Sequence, residues 1–154
     1  MKKTKLFFTG VLLIMLMSLL GCAKNIEIRD IRSFSFSYST GYMMDASVAY
    51  RLELKDGVYT ATVKPNLVPE EEASVFTVDK AFADELEEFL RSEKVSKWNG
   101  FNKSDDRVLD GNSFGLSIVT GDKEIISAHG YMKYPKNYSA VRGGIESLFG
   151  KLMQ

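Results

Sequence analysis

The sequence predicts an α+β fold: an antiparallel sheet of about six strands, including two hairpins, with two helices packed on one face. Three observations carry this. Residues 33–39 alternate strictly, with Phe34, Phe36 and Tyr38 on one side and Ser33, Ser35, Ser37 and Ser39 on the other, the signature of a half-buried strand. Asp56-Gly57 stands between two apolar-alternating stretches, where a two-residue turn needs positive φ. Two segments repeat apolar residues at helical spacing, Phe82, Leu86, Phe89 and Leu90 first, then Val141, Ile145, Leu148, Phe149 and Leu152. Short connections between the strands favour an antiparallel sheet over crossovers.

In chain order, a first strand begins at Ser33 and breaks at Gly41. A second runs from about Ala46 to Lys55, with Val48, Tyr50, Leu52 and Leu54 facing one way. A two-residue loop at Asp56-Gly57 pairs Lys55 with Val58, Leu54 with Tyr59, Leu52 with Ala61 and Tyr50 with Val63. Apolar residues then meet apolar partners on one face. Pro65 ends the third strand. Residues 66–72 form a polar loop, in which Glu70, Glu71 and Glu72 read as a solvated edge. A fourth strand over about Ala73–Val78 leads into the first helix, with Asp79 as its N-cap and Glu85, Glu87 and Glu88 on the outer face. That helix fades over Glu93–Ser96.

Residues 95–112 are the least regular part of the chain. A second hairpin follows, Ser113–Thr120 with Glu124–Tyr131, and two registers compete. A two-residue loop pairs Ile118 with Ile125, Leu116 with Ser127 and Phe114 with His129. A three-residue loop pairs Ile118 with Ile126, Leu116 with Ala128 and Phe114 with Gly130, and gives the cleaner apolar face. Pro135 precedes a final helix over about Asn137–Leu152. Gly143-Gly144 inside it costs about 1 kcal/mol per glycine relative to alanine; close packing on the sheet or a late helix start each explains the pair.

The amino end carries Lys2, Lys3 and Lys5, an uncharged apolar run from Leu6 to Leu20, and Leu19-Leu20-Gly21-Cys22. The run is shorter than the roughly 20 residues of a membrane span. This pattern resembles the signal peptide of bacterial lipoproteins. The resemblance implies cleavage before Cys22 and attachment of a palmitate-bearing lipid to it. The protein would then be anchored in a cell membrane or outer membrane, facing out of the cytoplasm. The expected organisation is a signal peptide over 1–21, a lipidated cysteine and short tether over 22–32, and one α+β domain over 33–154.

The chain has 20 basic and 20 acidic residues. Loss of Lys2, Lys3 and Lys5 leaves 17 against 20, a mildly acidic domain. That argues against nucleic acid, which wants a basic stripe, and against a second, electrostatic membrane contact. Cys22 is the single cysteine, so the domain has no disulfide, thiolate nucleophile or cysteine metal site. No cofactor is expected.

The richest candidate stretch is Trp98 to Asn112, taken with Gly130-Tyr131-Met132-Lys133-Tyr134-Pro135-Lys136-Asn137-Tyr138. Together these resemble a recurring domain of bacterial lipoproteins and secreted proteins that carries no assigned activity. The resemblance implies no substrate or catalytic residue. From the residues themselves, Asn102, Ser104, Asp106 and Asp110 are hard oxygen donors of the kind calcium takes. The EF-hand spacing fails, because Arg107 stands at the turn-glycine position and no glutamate closes the loop. A second reading is recognition of a polar ligand, with Trp98, Phe101, Tyr131 and Tyr134 as contact surfaces and Asn99, Asn102, Asp105, Asp106 and Asp110 as orienting groups. A third is purely structural: Asn, Asp and Ser cap their own backbone while Trp98 and Phe101 plug the core.

Ser127 and His129 share a strand face, and Asp110 completes the residue types of a hydrolase triad. No nucleophile elbow or glycine-rich oxyanion loop accompanies them. Tyr42-Met43-Met44 and Tyr131-Met132-Lys133-Tyr134 with Tyr138 are either packed strand ends or an adaptable patch for an envelope protein or peptide. The resulting expectation is a lipid-anchored, non-catalytic domain binding a protein, peptide or small polar ligand at the envelope. The alternatives are an envelope hydrolase using carboxylates or a loop-bound metal, and a passive structural lipoprotein.

Overall fold

Phenylalanine and serine alternate along β1 (Ser33–Ser39), and this strand lies in the middle of the sheet. Phe34 and Phe36 are buried, and Tyr38 is half-buried beside them. The computed structural model describes residues 26–41, 47–65 and 67–154. Among these, seven strands form one sheet in the order β4-β3-β2-β1-β6-β7-β5, and two α-helices lie on it. Besides β1, the strands are β2 (Val48–Lys55), β3 (Val58–Pro65), β4 (Ser74–Val78), β5 (Phe101–Ser104), β6 (Ser113–Val119) and β7 (Ile125–Tyr131). The helices are α1 (Lys80–Ser92) and α2 (Tyr138–Gly150).

Both hairpins take the apolar register. Lys55 pairs with Val58, Leu54 with Tyr59, Leu52 with Ala61 and Tyr50 with Val63. The turn has Asp56 at φ 51° and Gly57 at φ 81°, the two positive angles of a type I′ turn. In the second hairpin Ile118 faces Ile126, Leu116 faces Ala128 and Phe114 faces Gly130. Thr120 N–H donates to the Glu124 carbonyl at 3.0 Å, closing a loop of Gly121, Asp122 and Lys123. The cleaner of the two competing registers is the one that forms.

Asp79 caps α1 by accepting from the Phe82 N–H at 3.1 Å, and Ala83, Leu86 and Leu90 bury its inner face. From α2, Val141, Ile145, Leu148 and Phe149 enter the same core. Phe149 sits at its centre, with its ring centroid 6.1 Å from Phe34, 5.2 Å from Tyr50 and 5.3 Å edge-on from Phe82. One ring thus joins two strands and both helices. Truncating a phenylalanine so placed costs about 3–5 kcal/mol.

The structure differs from the sequence expectation in two places. The sheet has a seventh strand, β5, which pairs in parallel with β7. Its four residues carry no apolar alternation, so nothing in the local pattern marks a strand. The packed unit also begins earlier than residue 33, within the stretch assigned to the tether. Ile26, Ile28 and Ile31 are buried. Gly121 N–H donates to the Arg29 carbonyl at 3.3 Å, Arg32 N–H donates to the Val119 carbonyl at 2.8 Å, and Arg29 pairs with Asp122 at 2.6 Å. Arginine and aspartate interleave with the isoleucines and mask their spacing.

The two glycines of α2 have different reasons. A Cβ on Gly144 would lie 2.0 Å from the Phe89 ring, whereas a Cβ on Gly143 would meet nothing within 4 Å. Helix-on-helix contact, rather than contact with the sheet, therefore requires Gly144 alone. Gly143→Ala should stabilise the fold by about 1 kcal/mol through helix propensity. Gly144→Ala should destabilise it by about 1–3 kcal/mol through overpacking. Urea unfolding of the two variants, read as midpoint shifts of opposite sign, checks both.

Candidate functional site

α1 stops at Ser92, and the chain reverses through Lys94, which adopts the left-handed conformation at φ 56°. Glycine is the usual residue at such a helix end. A 3₁₀ turn, Val95–Trp98, then drops Val95 and Trp98 into the core. The Trp98 indole N–H donates to Asn137 Oδ1 at 3.0 Å. Asn137 Nδ2 in turn donates to the Glu93 carbonyl at 2.6 Å and to Glu93 Oε2 at 3.1 Å. One asparagine therefore ties the end of α1, the tryptophan and the start of α2 together.

Beyond Trp98, Gly100 turns at φ 77°. Phe101 then leans on Phe114 with ring centroids 6.1 Å apart, and Lys103 Nζ lies 5.4 Å from the Phe101 centroid. Tyr134 stacks on Phe114 at 6.0 Å and packs on Tyr138 at 4.6 Å. These elements enclose a groove of about 770 Å³. Trp98, Phe101, Tyr134 and Pro135 supply its apolar wall; Lys94, Lys97, Lys103 and Lys136 stand around it, with Glu93 and Asn137 at the junction. Its volume lies in the range of small-molecule sites, and an apolar wall with a few polar groups is the usual composition. Burial pushes the Tyr138 hydroxyl up to about 12 and raises Tyr134 as well. Both phenols stay neutral and present hydroxyls, not charges.

Of the sequence candidates, Trp98, Phe101 and Tyr134 converge on this groove. The others lie outside its lining and are mostly engaged by their own surroundings. Asn99 Oδ1 accepts from the Ser127 N–H at 3.1 Å, and Gly100 N–H donates to the Ser127 carbonyl at 2.9 Å, which starts the parallel pairing of β5. Asp105 receives two bonds from the Arg107 guanidinium, at 2.8 and 2.7 Å, and lies 3.3 Å from Lys133 Nζ. Asp106 accepts from the Ser104 hydroxyl at 2.6 Å. The Tyr131 hydroxyl accepts from the Gly111 N–H at 2.6 Å and lies 2.9 Å from the carbonyls of Val108 and Leu109, which share its single proton. Asn102 is exposed on β5 and Asp110 is exposed on the loop. Among the described residues, no group of three or more His, Cys, Asp or Glu side chains is arranged to hold a metal.

Ser127 and His129 point from β7 to the uncovered face of the sheet, both exposed. His129 lines a shallow hollow of about 220 Å³ with Ser37, Ala49, Lys64 and Gly115. Among the described residues no carboxylate hydrogen-bonds the imidazole, so the triad geometry is not assembled there. Met132 turns inward at φ 54°, and its sulfur accepts from the Asn112 N–H at 3.1 Å. The Tyr131–Tyr134 segment therefore packs on the loop, while Tyr42-Met43-Met44 lies outside the described residues, as does Cys22.

No family model matches the chain, and no curated protein sequence matches it. Among the described residues no helix is long and apolar enough to cross a membrane.

Of the groove's polar residues, Lys103, Lys136 and Asn137 lie within the candidate stretches without being singled out there, and Lys94 and Lys97 lie outside them. Lys94 and Lys97 look like the solvated end of a helix. Asn137 lies 39 residues from the tryptophan it holds, and no local pattern spans that distance.

Two expectations follow for the loop and its tie. Asn137→Ala leaves the Trp98 N–H without its partner, a loss of about 1–3 kcal/mol, visible in urea unfolding followed by Trp98 fluorescence. The Arg107 guanidinium, with help from Lys133, holds the Asp105 carboxyl well below the ordinary carboxylate range. A depressed folded-state pKa stabilises above the unfolded value and is lost as pH falls. Asp105→Asn should therefore lower the melting temperature at neutral pH. The difference from the native protein should shrink as pH drops below about 4, where the unfolded carboxyl protonates.

Proposed function

We propose that the chain is a lipid-anchored, extracytoplasmic binding domain, held in a cell membrane or outer membrane through Cys22. Its groove takes a small ligand, or the end of a peptide, that combines a flat apolar part with an anionic group. The observation that carries this is the groove itself. Trp98, Phe101 and Tyr134 offer an apolar wall, and four lysines surround it against one glutamate. Asn137 and Trp98 bond each other, so the wall is pre-organised before any ligand arrives, which lowers the ordering cost of binding.

Binding is favoured over hydrolysis by the state of the loop carboxylates. The charge of Asp105 is already matched by Arg107 and Lys133. A carboxylate so held is a poor general acid at neutral pH. Asp106 is engaged by Ser104. An aromatic groove ringed with lysines favours a ligand-binding role over a purely structural one.

Thermal unfolding of the protein against a panel of amino acids, peptides, glycans and small aromatic anions tests the reading. A ligand present at about 100 times its dissociation constant adds about 2.7 kcal/mol of stability. The shift should vanish in a Phe101→Ala, Lys103→Gln variant that still folds. A flat response to every anion in the panel would remove the ligand reading. The address is tested separately: Cys22→Ser should move the protein out of the membrane fraction.

A further inference from the structure

We infer that the basic surface beside Ile26 lies on the membrane and touches the phosphates of anionic lipids, as a second contact next to the lipid anchor. The inference rests on the anchor reading above. Ile26 is the first described residue of the domain and is buried. It lines a hollow of about 430 Å³ together with Arg91, Lys94 and Lys97, with Glu27 as the acidic member. Cys22 lies four residues earlier. Four residues reach at most about 14 Å even when fully extended. A lipid on Cys22 therefore holds this hollow close to the bilayer whatever path the chain takes. A tether running over residues 23–32 would have left orientation free. With Ile26, Ile28 and Ile31 packed, only Ala23, Lys24 and Asn25 remain between the anchor and the domain.

The charge on that surface suits the occupant. Arg91 pairs with Glu87 at 3.2 Å. Lys94 and Lys97 are exposed and form no ion pair among the described residues. Both also border the aromatic groove, where Lys103 and Lys136 extend the basic surface. Lys94 and Lys97 thus place two unpaired charges of a mildly acidic domain beside Ile26, where the anchor would emerge. An anionic leaflet attracts each nearby basic side chain, and the attraction fades within a Debye length.

The full-length lipidated protein, reconstituted in vesicles, tests this. One vesicle set is phosphatidylcholine alone and the other an equal mixture with phosphatidylglycerol. Labelling by an aqueous amine-reactive reagent is read by mass spectrometry at Lys94 and Lys97, with Lys64 of the uncovered sheet face as reference. Lys94 and Lys97 should label about fivefold more slowly on the anionic vesicles, matching the attraction of one basic side chain to an anionic leaflet. One molar salt, which shortens screening to about 3 Å, should abolish the difference. Lys64 should label alike on both. Equal labelling of Lys94 and Lys97 on the two vesicle types, with lipid present on Cys22, overturns the second contact and leaves the anchor standing. A Cys22 peptide of unmodified mass overturns the anchor reading and this inference with it.

Discussion

The constraint on which the structure depends is the alternation of phenylalanine and serine along β1. Because the strand is central, its two faces set the two faces of the whole sheet. Phe34 and Phe36 dictate that every neighbouring strand present apolar residues to the same side: Tyr50 and Leu52 from β2, Leu116 and Ile118 from β6. Both helices must then cover that side, and Phe149 closes the layer by touching rings from strands and helices alike. Among the described residues nothing covers the serine side. Small residues dominate its centre, where Ser35, Ser37, Ser117 and Gly115 pair across adjacent strands. A single-sided core of this kind is stable because the exposed face buries nothing that water would expel.

Helices on one layer also explain where the groove arises. α1 ends at Ser92, and the chain must then return to the sheet to add β5 at its edge. The return is made by Lys94 in a left-handed conformation and by the 3₁₀ turn that follows. Trp98 then fills the core corner that neither helix covers, with Phe114 5.8 Å and Tyr138 6.2 Å from its ring. The groove is the outer side of that corner. It persists because Asn137 spends its side chain on Trp98 and Glu93 instead of capping α2.

What could be read from the sequence follows the range of the interactions involved. The Asp56-Gly57 hairpin was legible to the residue because turn chemistry and apolar pairing act over a few positions. The Asp79 cap and the apolar stripe of α1 were legible for the same reason. β5 was not, since Phe101–Ser104 becomes a strand only by borrowing the edge of β7, guided by the bonds of Asn99 and Gly100 to Ser127. The candidate loop was half legible. Its aromatic members were recognised as a surface, and three of them meet. Its acids were recognised as donors, yet Asp105 and Asp106 are taken up by Arg107 and Ser104 within the same turn. Spacing identifies groups that can bind; it does not show that a near neighbour has already bound them.

Net charge is blind to placement in the same way. A balance of 17 against 20, counted without Lys2, Lys3 and Lys5, describes the chain as a whole and not where its charges sit. Folding redistributes that balance. The acids of α1 are partly paired on its own surface, as Glu87 is with Arg91 and Asp84 with Lys80, while Lys94 and Lys97 fall just beyond the helix, where the chain turns and i,i+4 partners run out. The residues left unpaired are therefore those at the end of the element, and the fold brings this end against Ile26. On the proposed anchor at Cys22, a chain tethered by three residues would have little freedom to present another side to the bilayer. The groove would then open beside the membrane surface, and the local concentration that matters for the proposed ligand would be that of the interfacial layer rather than the bulk. An anionic ligand there meets two opposing fields, repulsion from an anionic leaflet and attraction to the lysines. With Lys94 and Lys97 facing lipid phosphates as proposed, Lys103 and Lys136 are the groove lysines left for such a ligand, and its binding position would fall on their side.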